Sequence, residues 1–488
     1  GYVSEPEGIE GIDLNDEFWR QQAVPHDWGI ESDFRQDQPN STGKLMFQGI
    51  GWYRKHFNVP ASDKGKCYSI QFDGVMSQPT VYLNGQYVGE WKYGYSSFAL
   101  DLTDKINFGG RNILAVRVNN PADSSRWYPG GGIYRHVWLT KTEPIHLAHW
   151  GTYITTPHIS EQTATVQIAA ELENSSAGEV NAEYYHIIVD KETGKTVAQS
   201  LPKAITLKTG VNTPDITEIE VSNPRLWDIN SPNLYVAHTV VEVGGEVTDR
   251  YLTTFGIRSI SWTADKGFLL NGRVVKIQGV CNHHDLGPLG TAINDRAVQR
   301  QVEIMKEMGV NAIRTSHNPP APELLRYCDE LGIMVMDEAF DCWAAGKTKN
   351  DYSLFYPDWH VKDITNLVRR DRNHPCVILW SSGNEILEQW GRPNGPAISR
   401  ELTALFHQLD PTRPVTAGFN GQDVYKTEMG ATVDVYGFNY KPHLYGDFKQ
   451  KRPDQPVYSS ESASCISSRG EYFFPVSEKK DGGFFNYQ

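Results

Sequence analysis

The sequence predicts a three-part chain, two antiparallel β-sandwiches followed by a barrel of parallel strands alternating with helices. Three observations predict it. Apolar and polar residues alternate through much of the first 256 positions, with turn signals between the runs. Beyond Phe255-Gly256 the texture changes to short apolar runs separated by segments of helical period. The length of 488 residues fits about three domains of about 100 to 200 residues, each able to bury its own core.

The first domain is assigned to residues 1–141. Tyr68, Ile70 and Phe72 alternate with Ser69, Gln71 and Asp73; Val81 and Leu83 lead into the turn pair Asn84-Gly85; Leu114, Val116 and Val118 resume the alternation. Period two with turns between the runs makes a sandwich. The second domain takes residues 142–256, where Val166, Ile168, Ala170 and Leu172 alternate, KETGK at 191–195 is rich in turn formers, and VAHTVVEVGGEV spans 236–247. A length of roughly 110 residues fits an immunoglobulin-like sandwich.

Residues 257–488 form the third domain. Val298, Val302 and Met305 recur at helical spacing before Gly309 and the strand NAIRTS. The unit repeats: Leu324, Leu325, Cys328 and Leu331 precede Gly332 and IMVMDEA; Ile364, Leu367 and Val368 precede VILWSSGNE; Leu402, Leu405, Phe406 and Leu409 precede PVTAGF. Strands alternating with helices pair in parallel, because each crossover returns the chain to the same end of the sheet. Seven strands are expected, VVKIQGV, AIRTS, IMVMDEA, VILWSSGNE, PVTAGF, VDVYGFNY and PVYSSES. The residues after 462 read as loop, so the barrel is expected to stop short of an eighth strand.

Composition narrows the function. Against 46 Lys+Arg stand 59 Asp+Glu, a formal charge of −13, which argues against nucleic acid as a partner, since phosphate binding needs clustered Lys and Arg. No run approaches the ~18 apolar residues of a membrane span. The six cysteines, at 67, 281, 328, 342, 376 and 465, include no CxxC pair, so neither a zinc knuckle nor a disulfide framework is signalled. A homo-oligomer stays open. The compartment is not legible, the periplasm or the exterior being the expectation.

Polar residues end nearly every barrel strand. Strand one leads into Asn282, His283, His284 and Asp285; strand two into Arg314, His317 and Asn318; strand three into Asp337 and Glu338; strand four into Asn384 and Glu385; strand six into Asn439 and Tyr440; strand seven into Glu461. Active sites of such barrels gather where the strands end. Glu385 and Glu461, 76 positions apart, can therefore converge on one pocket, and an arginine beside one carboxylate would keep it ionised. His283, His284 and Asp285 lack the HExxH spacing of a zinc helix, and adjacent histidines on a strand end point to opposite sides, so hydrogen bonding to substrate hydroxyls is preferred to metal binding. No GxSxG elbow signals a serine hydrolase.

The run LVRRDRNHPCVILWSSGNE resembles the signature of glycoside hydrolase family 2. GVCNHHDLGPLG, NAIRTSHNPP, VMDEAF, FNYKPH, VYSSES and SRWYPGGGIYRHVWL extend the resemblance along the chain. It implies a jelly-roll sugar-binding domain, an immunoglobulin-like sandwich and a (β/α)8 TIM barrel. By the same resemblance Glu385 is the acid/base and Glu461 the nucleophile of a retaining glycosidase; Asn384 binds the sugar 2-hydroxyl; Arg314 and Tyr440 flank the nucleophile; and His317 and His283 face the sugar, with His284 an alternative to His283. Arg126, in the loop expected to reach the barrel mouth, stands where some members carry an aspartate. The metal ligands that some members use beside the acid/base are not evident, so no metal and no cofactor is expected.

The substrate implied is an oligosaccharide or polysaccharide carrying a terminal β-linked sugar. SRWYPGGGIYR, NHHDLG and SSGNE look most like the β-galactosidase-type members. A β-glucuronidase or a β-mannosidase of the same family is the alternative. A rival from another class is a carbohydrate-binding protein without turnover, which would need neither glutamate.

Overall fold

Alternating apolar residues build the first sandwich as expected. The computed structural model describes residues 5, 7–45, 48–465 and 485–486. Within it the strands Gly49–Val59, Gly110–Asn120, Thr80–Leu83 and Gln86–Glu90 form one sheet, and Phe98–Asp101, Cys67–Phe72 and Val137–Thr142 another. Ile70, Phe72, Val81 and Val116 share the core between them. Asn84 and Gly85 turn the hairpin with φ of 53° and 77°, the left-handed pair that matches strand twist in a two-residue loop.

The second sandwich packs a five-stranded sheet centred on Val180–Asp190 and Tyr235–Val243 against a four-stranded sheet centred on Thr163–Asn174. Along Thr163–Asn174 every second residue is buried, including Val166, Ile168, Ala170 and Leu172. The hairpin Tyr235–Val243 to Glu246–Phe255 turns at Gly244-Gly245.

The third domain is a seven-stranded parallel sheet, with strands at Gly279–Asn282, Ala312–Thr315, Met334–Glu338, Val377–Asn384, Val415–Phe419, Val435–Asn439 and Val457–Glu461, hydrogen-bonded in that order. Among the described residues the first and seventh strands do not pair, which makes a nearly closed barrel one strand short of eight. The two edges approach where the Cys281 thiol reaches the Ser460 carbonyl at 3.2 Å. The loop expectation for the chain after 462 falls mostly on residues outside those described; Ser464–Cys465 pairs antiparallel with Phe485–Asn486.

Helices α1 (Asp295–Glu307), α2 (Pro322–Leu331), α3 (Tyr356–Asp371) and α4 (Gly395–Leu409) follow the first, second, third and fourth strands. Their inward residues are those of the helical period: Val298 and Val302, Leu324, Leu325 and Cys328, Ile364, Leu367 and Val368, Leu402 and Phe406 are all buried. Asn294 caps α1 by accepting from Ala297 N at 3.0 Å, and Gly332 ends α2 with φ 68°. Among the described residues no helix is long and apolar enough to cross a membrane.

One strand departs from expectation. VVKIQGV does not form the first strand as a unit, because Val274 pairs with Leu269 in a small sheet of Ile260–Thr263, Gly267–Leu270 and Arg273–Val274, and the barrel strand starts only at Gly279. The first strand has a partner on one side only, so its short ladder ends where the neighbouring strand Ala312–Thr315 ends.

The first sandwich is fixed to the barrel by buried polar contacts. The fully buried Arg135 guanidinium donates to the carbonyls of Pro319 and Pro320 at 2.9 and 3.1 Å, and Trp91 and Ser96 donate to Asp363 on α3 at 2.7 and 2.6 Å. These bonds hold a loop of the first domain over the strand ends.

Candidate active site

Arg314, at the end of the second strand, is the hub of the strand ends. Its side chain is 2% exposed. Nη1 donates to Glu461 Oε1 at 2.7 Å, Nε to Glu338 Oε2 at 2.9 Å, and Nη2 to Asn384 Oδ1 at 3.0 Å. A buried guanidinium facing two carboxylates and an amide oxygen satisfies its own donors and their acceptors together. Burial works against the charge of Arg314, but Glu338 and Glu461 outweigh it and hold its pKa well above the ordinary value.

Glu461 is the last residue of the seventh strand and lies beside Asn439 of the sixth. Asn439 Nδ2 donates to Glu385 Oε1 at 3.0 Å and to Asn384 Oδ1 at 3.1 Å, while its Oδ1 accepts from Ser460 at 2.6 Å. Glu385 and Glu461 are thus tied to one hydrogen-bonded network, Glu461 through Arg314 and Glu385 through Asn439. Glu385 sits just past the fourth strand with φ 42°, and Tyr440 just past the sixth with φ 57°. Left-handed backbone at two non-glycine residues is a local strain of the kind that collects at functional sites.

His317 donates through Nδ1 to Glu338 Oε1 at 2.6 Å and brings Nε2 to 3.6 Å from Glu461 Oε1. Its ring meets His283 edge-to-face at 5.6 Å, and Trp127 of the first domain covers both, at 4.9 Å from His283 and 5.7 Å from His317. Burial, and then His317, lower His283 to about 4, so its imidazole is neutral at pH 7. A cavity of 940 Å³ opens beside these groups, lined by Cys281, His283, Arg314, His317, Tyr440 and Glu461.

His284 turns the other way. It meets the Pro129 carbonyl at 3.2 Å and packs edge-on to Tyr95 and Tyr134 of the first domain, where burial brings it to about 3. His283, and not His284, lines the cavity beside Glu461. Asp285 accepts from Gly287 N in the following turn, while His283 and His284 turn to different neighbours.

Asp337, expected with Glu338 at the third strand end, is absent from the site. Strand alternation sends its neighbour Glu338 inward and Asp337 to the helix layer, where burial and then Asp371 raise its pKa well above the carboxylate range. Glu338 behaves oppositely. Burial pushes it up, but Arg314, His317 and Ser381 together bring it below its ordinary value.

Arg126 does reach the barrel mouth, and its partner was not legible. Nε and Nη2 fork onto Asp341 Oδ2 and Oδ1 at 2.9 and 2.6 Å. Lys347 Nζ and Asn384 Nδ2 also donate to Asp341 Oδ1, at 2.8 and 3.0 Å. Burial would raise the Asp341 pKa, but Arg126 and Lys347 hold it far below the carboxylate range. Trp127, Asp341 and Lys347 join the site without a strand-end signal; only the adjacency of Trp127 to Arg126 hinted at one of them.

Two stability effects follow from these contacts. Arg314→Ala in the full-length protein would leave Glu338 and Glu461 facing each other without a cation, and urea unfolding should register a loss of about 3 to 5 kcal/mol. Glu338 and Asp341 bind protons less readily folded than unfolded, so their contribution is present above the ordinary carboxylate range of about pH 4 and is lost as pH falls below it. Melting temperature should accordingly drop on acidification, less steeply in Asp341→Asn than in the parent.

Three family models match successive stretches of the chain: "Glycosyl hydrolases family 2, sugar binding domain" over residues 36–143, "Glycosyl hydrolases family 2" over 146–258, and "Glycosyl hydrolases family 2, TIM barrel domain" over 263–472. The chain is 43% identical to the β-galactosidase BoGH2A of Bacteroides ovatus over 94% of its own length and 58% of that protein. It is 35% identical to a putative β-glucuronidase of Formosa agariphila, over 94% of its length and 42% of that protein. The crystal structure of a glycosyl hydrolase family 2 member from Bacteroides cellulosilyticus matches with a TM-score of 0.91 at 40% identity, covering 94% of the chain and 60% of that structure. The chain spans little more than half the length of the first of these curated relatives.

Proposed function

As the chain belongs to glycoside hydrolase family 2, we propose that it carries the active site of a retaining β-glycoside hydrolase that releases a non-reducing terminal β-D-galactosyl residue. The observation that carries the reading is the hydrogen-bonded network in which Arg314 holds Glu461 and Asn439 holds Glu385. Two carboxyls at the strand ends of one barrel, each oriented by a buried partner, supply the nucleophile and the acid/base that such hydrolysis needs.

In this reading Glu461, held by the Arg314 guanidinium, attacks the anomeric carbon through a carboxylate oxygen while Glu385 protonates the departing glycosidic oxygen. Glu385, now a carboxylate, then removes a proton from water, which attacks the anomeric carbon and releases Glu461. The two inversions give net retention. Asn384, whose Oδ1 is taken by Arg314 and Asn439, is the residue for the sugar 2-hydroxyl. In the same reading His283, His317 and Tyr440 meet further hydroxyls, and the Trp127 ring beside the two histidines gives the sugar an apolar face.

The choice of galactose draws on the likeness to BoGH2A and to the β-galactosidase-type motifs; a β-glucuronide is the second reading, favoured by the similarity to the Formosa agariphila protein. Chromogenic β-galactoside, β-glucuronide and β-mannoside assayed side by side with the full-length protein decide between them. The β-galactoside should be turned over with the highest kcat/KM, and a preference for either other sugar would overturn the assignment.

Arg126 is proposed to act on specificity through Asp341. Arg126→Ala should lower kcat/KM for the preferred glycoside by about tenfold, equivalent to about 1.4 kcal/mol. Melting temperature should barely move, because a partly exposed ion pair contributes only about 0 to 1 kcal/mol.

A further inference from the structure

Away from the two glutamates, the seam between the first sandwich and the barrel helices gathers His136, Asp295 and Glu323, whose ligand atoms all lie within 4.8 Å of one another. They come from three separate elements. His136 precedes the strand Val137–Thr142, Asp295 opens α1 and Glu323 lies in the first turn of α2. An acidic residue in a first helical turn is ordinary, since the helix dipole favours it.

What the dipole leaves unexplained is how Glu323 is buried. Its side chain is 8% exposed, the residue as a whole 7%, and Oε2 has no hydrogen-bond partner among the described residues. A buried carboxylate oxygen without a partner is costly unless a cation or a donor reaches it.

The spacing of the three side chains suits a cation. His136 Nε2 lies 3.2 Å from Asp295 Oδ1 and 3.6 Å from Glu323 Oε1. Ligands about 2.0 to 2.1 Å from a tetrahedral zinc ion stand about 3.3 to 3.4 Å apart. Arg326 Nη2 occupies the other Asp295 oxygen, Oδ2, at 2.6 Å, which fixes that carboxylate with Oδ1 toward His136. We propose that His136, Asp295 and Glu323 form a divalent-metal site, suited to zinc, that ties the first sandwich to α1 and α2. One imidazole and two carboxylates make a ligand set that zinc accepts, and the half-exposed Asp295 leaves the fourth corner open to water.

The other cluster of this kind, Asp329, His374 and Cys376, is different. There both Asp329 oxygens are already taken, Oδ2 by His374 Nδ1 at 2.5 Å and Oδ1 by Cys376 N at 3.0 Å, and burial holds the Cys376 thiol well above its ordinary pKa.

The test uses zinc chloride and the full-length protein freed of metal with EDTA. Isothermal titration should show a site whose affinity falls about tenfold or more in Glu323→Gln and in His136→Gln, the latter keeping an amide donor for Asp295 while losing the imidazole ligand. Zinc should raise the melting temperature of the parent and of neither variant, and metal-free melting curves check that both fold. Anomalous diffraction at the zinc edge should place a peak between the three side chains. Absence of zinc binding to the parent, unchanged binding in both variants, or a peak elsewhere would overturn the proposal.

Discussion

Glu461→Ala in the full-length protein is expected to lower kcat by about 10⁴-fold or more for every β-glycoside, whatever its leaving group. In the proposed mechanism the Glu461 carboxylate forms the glycosyl-enzyme bond, and a good leaving group cannot replace that bond. Arg314 and His317 make the position specific, because the guanidinium 2.7 Å from Glu461 Oε1 and the imidazole 3.6 Å away orient one oxygen of this carboxylate. Melting temperature need not fall with activity. The substitution removes one of two carboxylates around Arg314, and Glu338 keeps the guanidinium paired at 2.7 Å. A variant that retains turnover of an activated β-galactoside would remove Glu461 from the role.

Glu385→Ala should split by leaving group. For an alkyl β-galactoside, which needs its departing oxygen protonated, kcat/KM should fall by about 10² to 10⁴. With a dinitrophenyl leaving group the first step should proceed, and the glycosyl-enzyme should accumulate because no base activates water. Azide, which needs no deprotonation, should then restore turnover and leave a β-galactosyl azide as product. Asn439 is the group that would point Glu385 at this task, through its 3.0 Å bond to Oε1. Rescue of Glu461→Ala by azide with a β-galactosyl azide as product, and an α-linked azide from Glu385→Ala, would exchange the two roles.

The fold was largely legible because each element obeys a local rule. Buried residues at Tyr68, Ile70 and Phe72, and again at Val166, Ile168 and Ala170, follow period two. Val298 and Val302 of α1, and Leu324 and Cys328 of α2, follow the helical period, and Gly332 ends α2 where a left-handed residue was needed. The first barrel strand was misplaced since Val274 has a local partner, Leu269, that outcompetes the barrel edge. Apolar content alone does not choose between two sheets.

At the site, the residues on strand ends could be named in advance because chain topology carries them to one face of the barrel. Which of two neighbours points inward could not. Asp337 and Glu338 look alike in sequence, but one is held in the helix layer with Asp371 and the other by Arg314. The Arg126 contact to Asp341 joins positions 215 apart in different domains, and no periodicity relates them. The same holds for His136 with Asp295 and Glu323, which only the docking of the first sandwich on α1 and α2 brings together.

The central claim, that Glu461 attacks the anomeric carbon with Glu385 as its acid/base partner, is tested most directly by trapping the covalent intermediate. A 2-deoxy-2-fluoro-β-galactoside with an activated leaving group reacts with the nucleophile while the fluorine slows hydrolysis of the adduct, and peptide mass spectrometry of the full-length protein locates the attached sugar. The account predicts a single fluorosugar adduct on the peptide containing Glu461, released slowly with retained anomeric configuration. An adduct on Glu385, or release of the inverted sugar without any adduct, would contradict it.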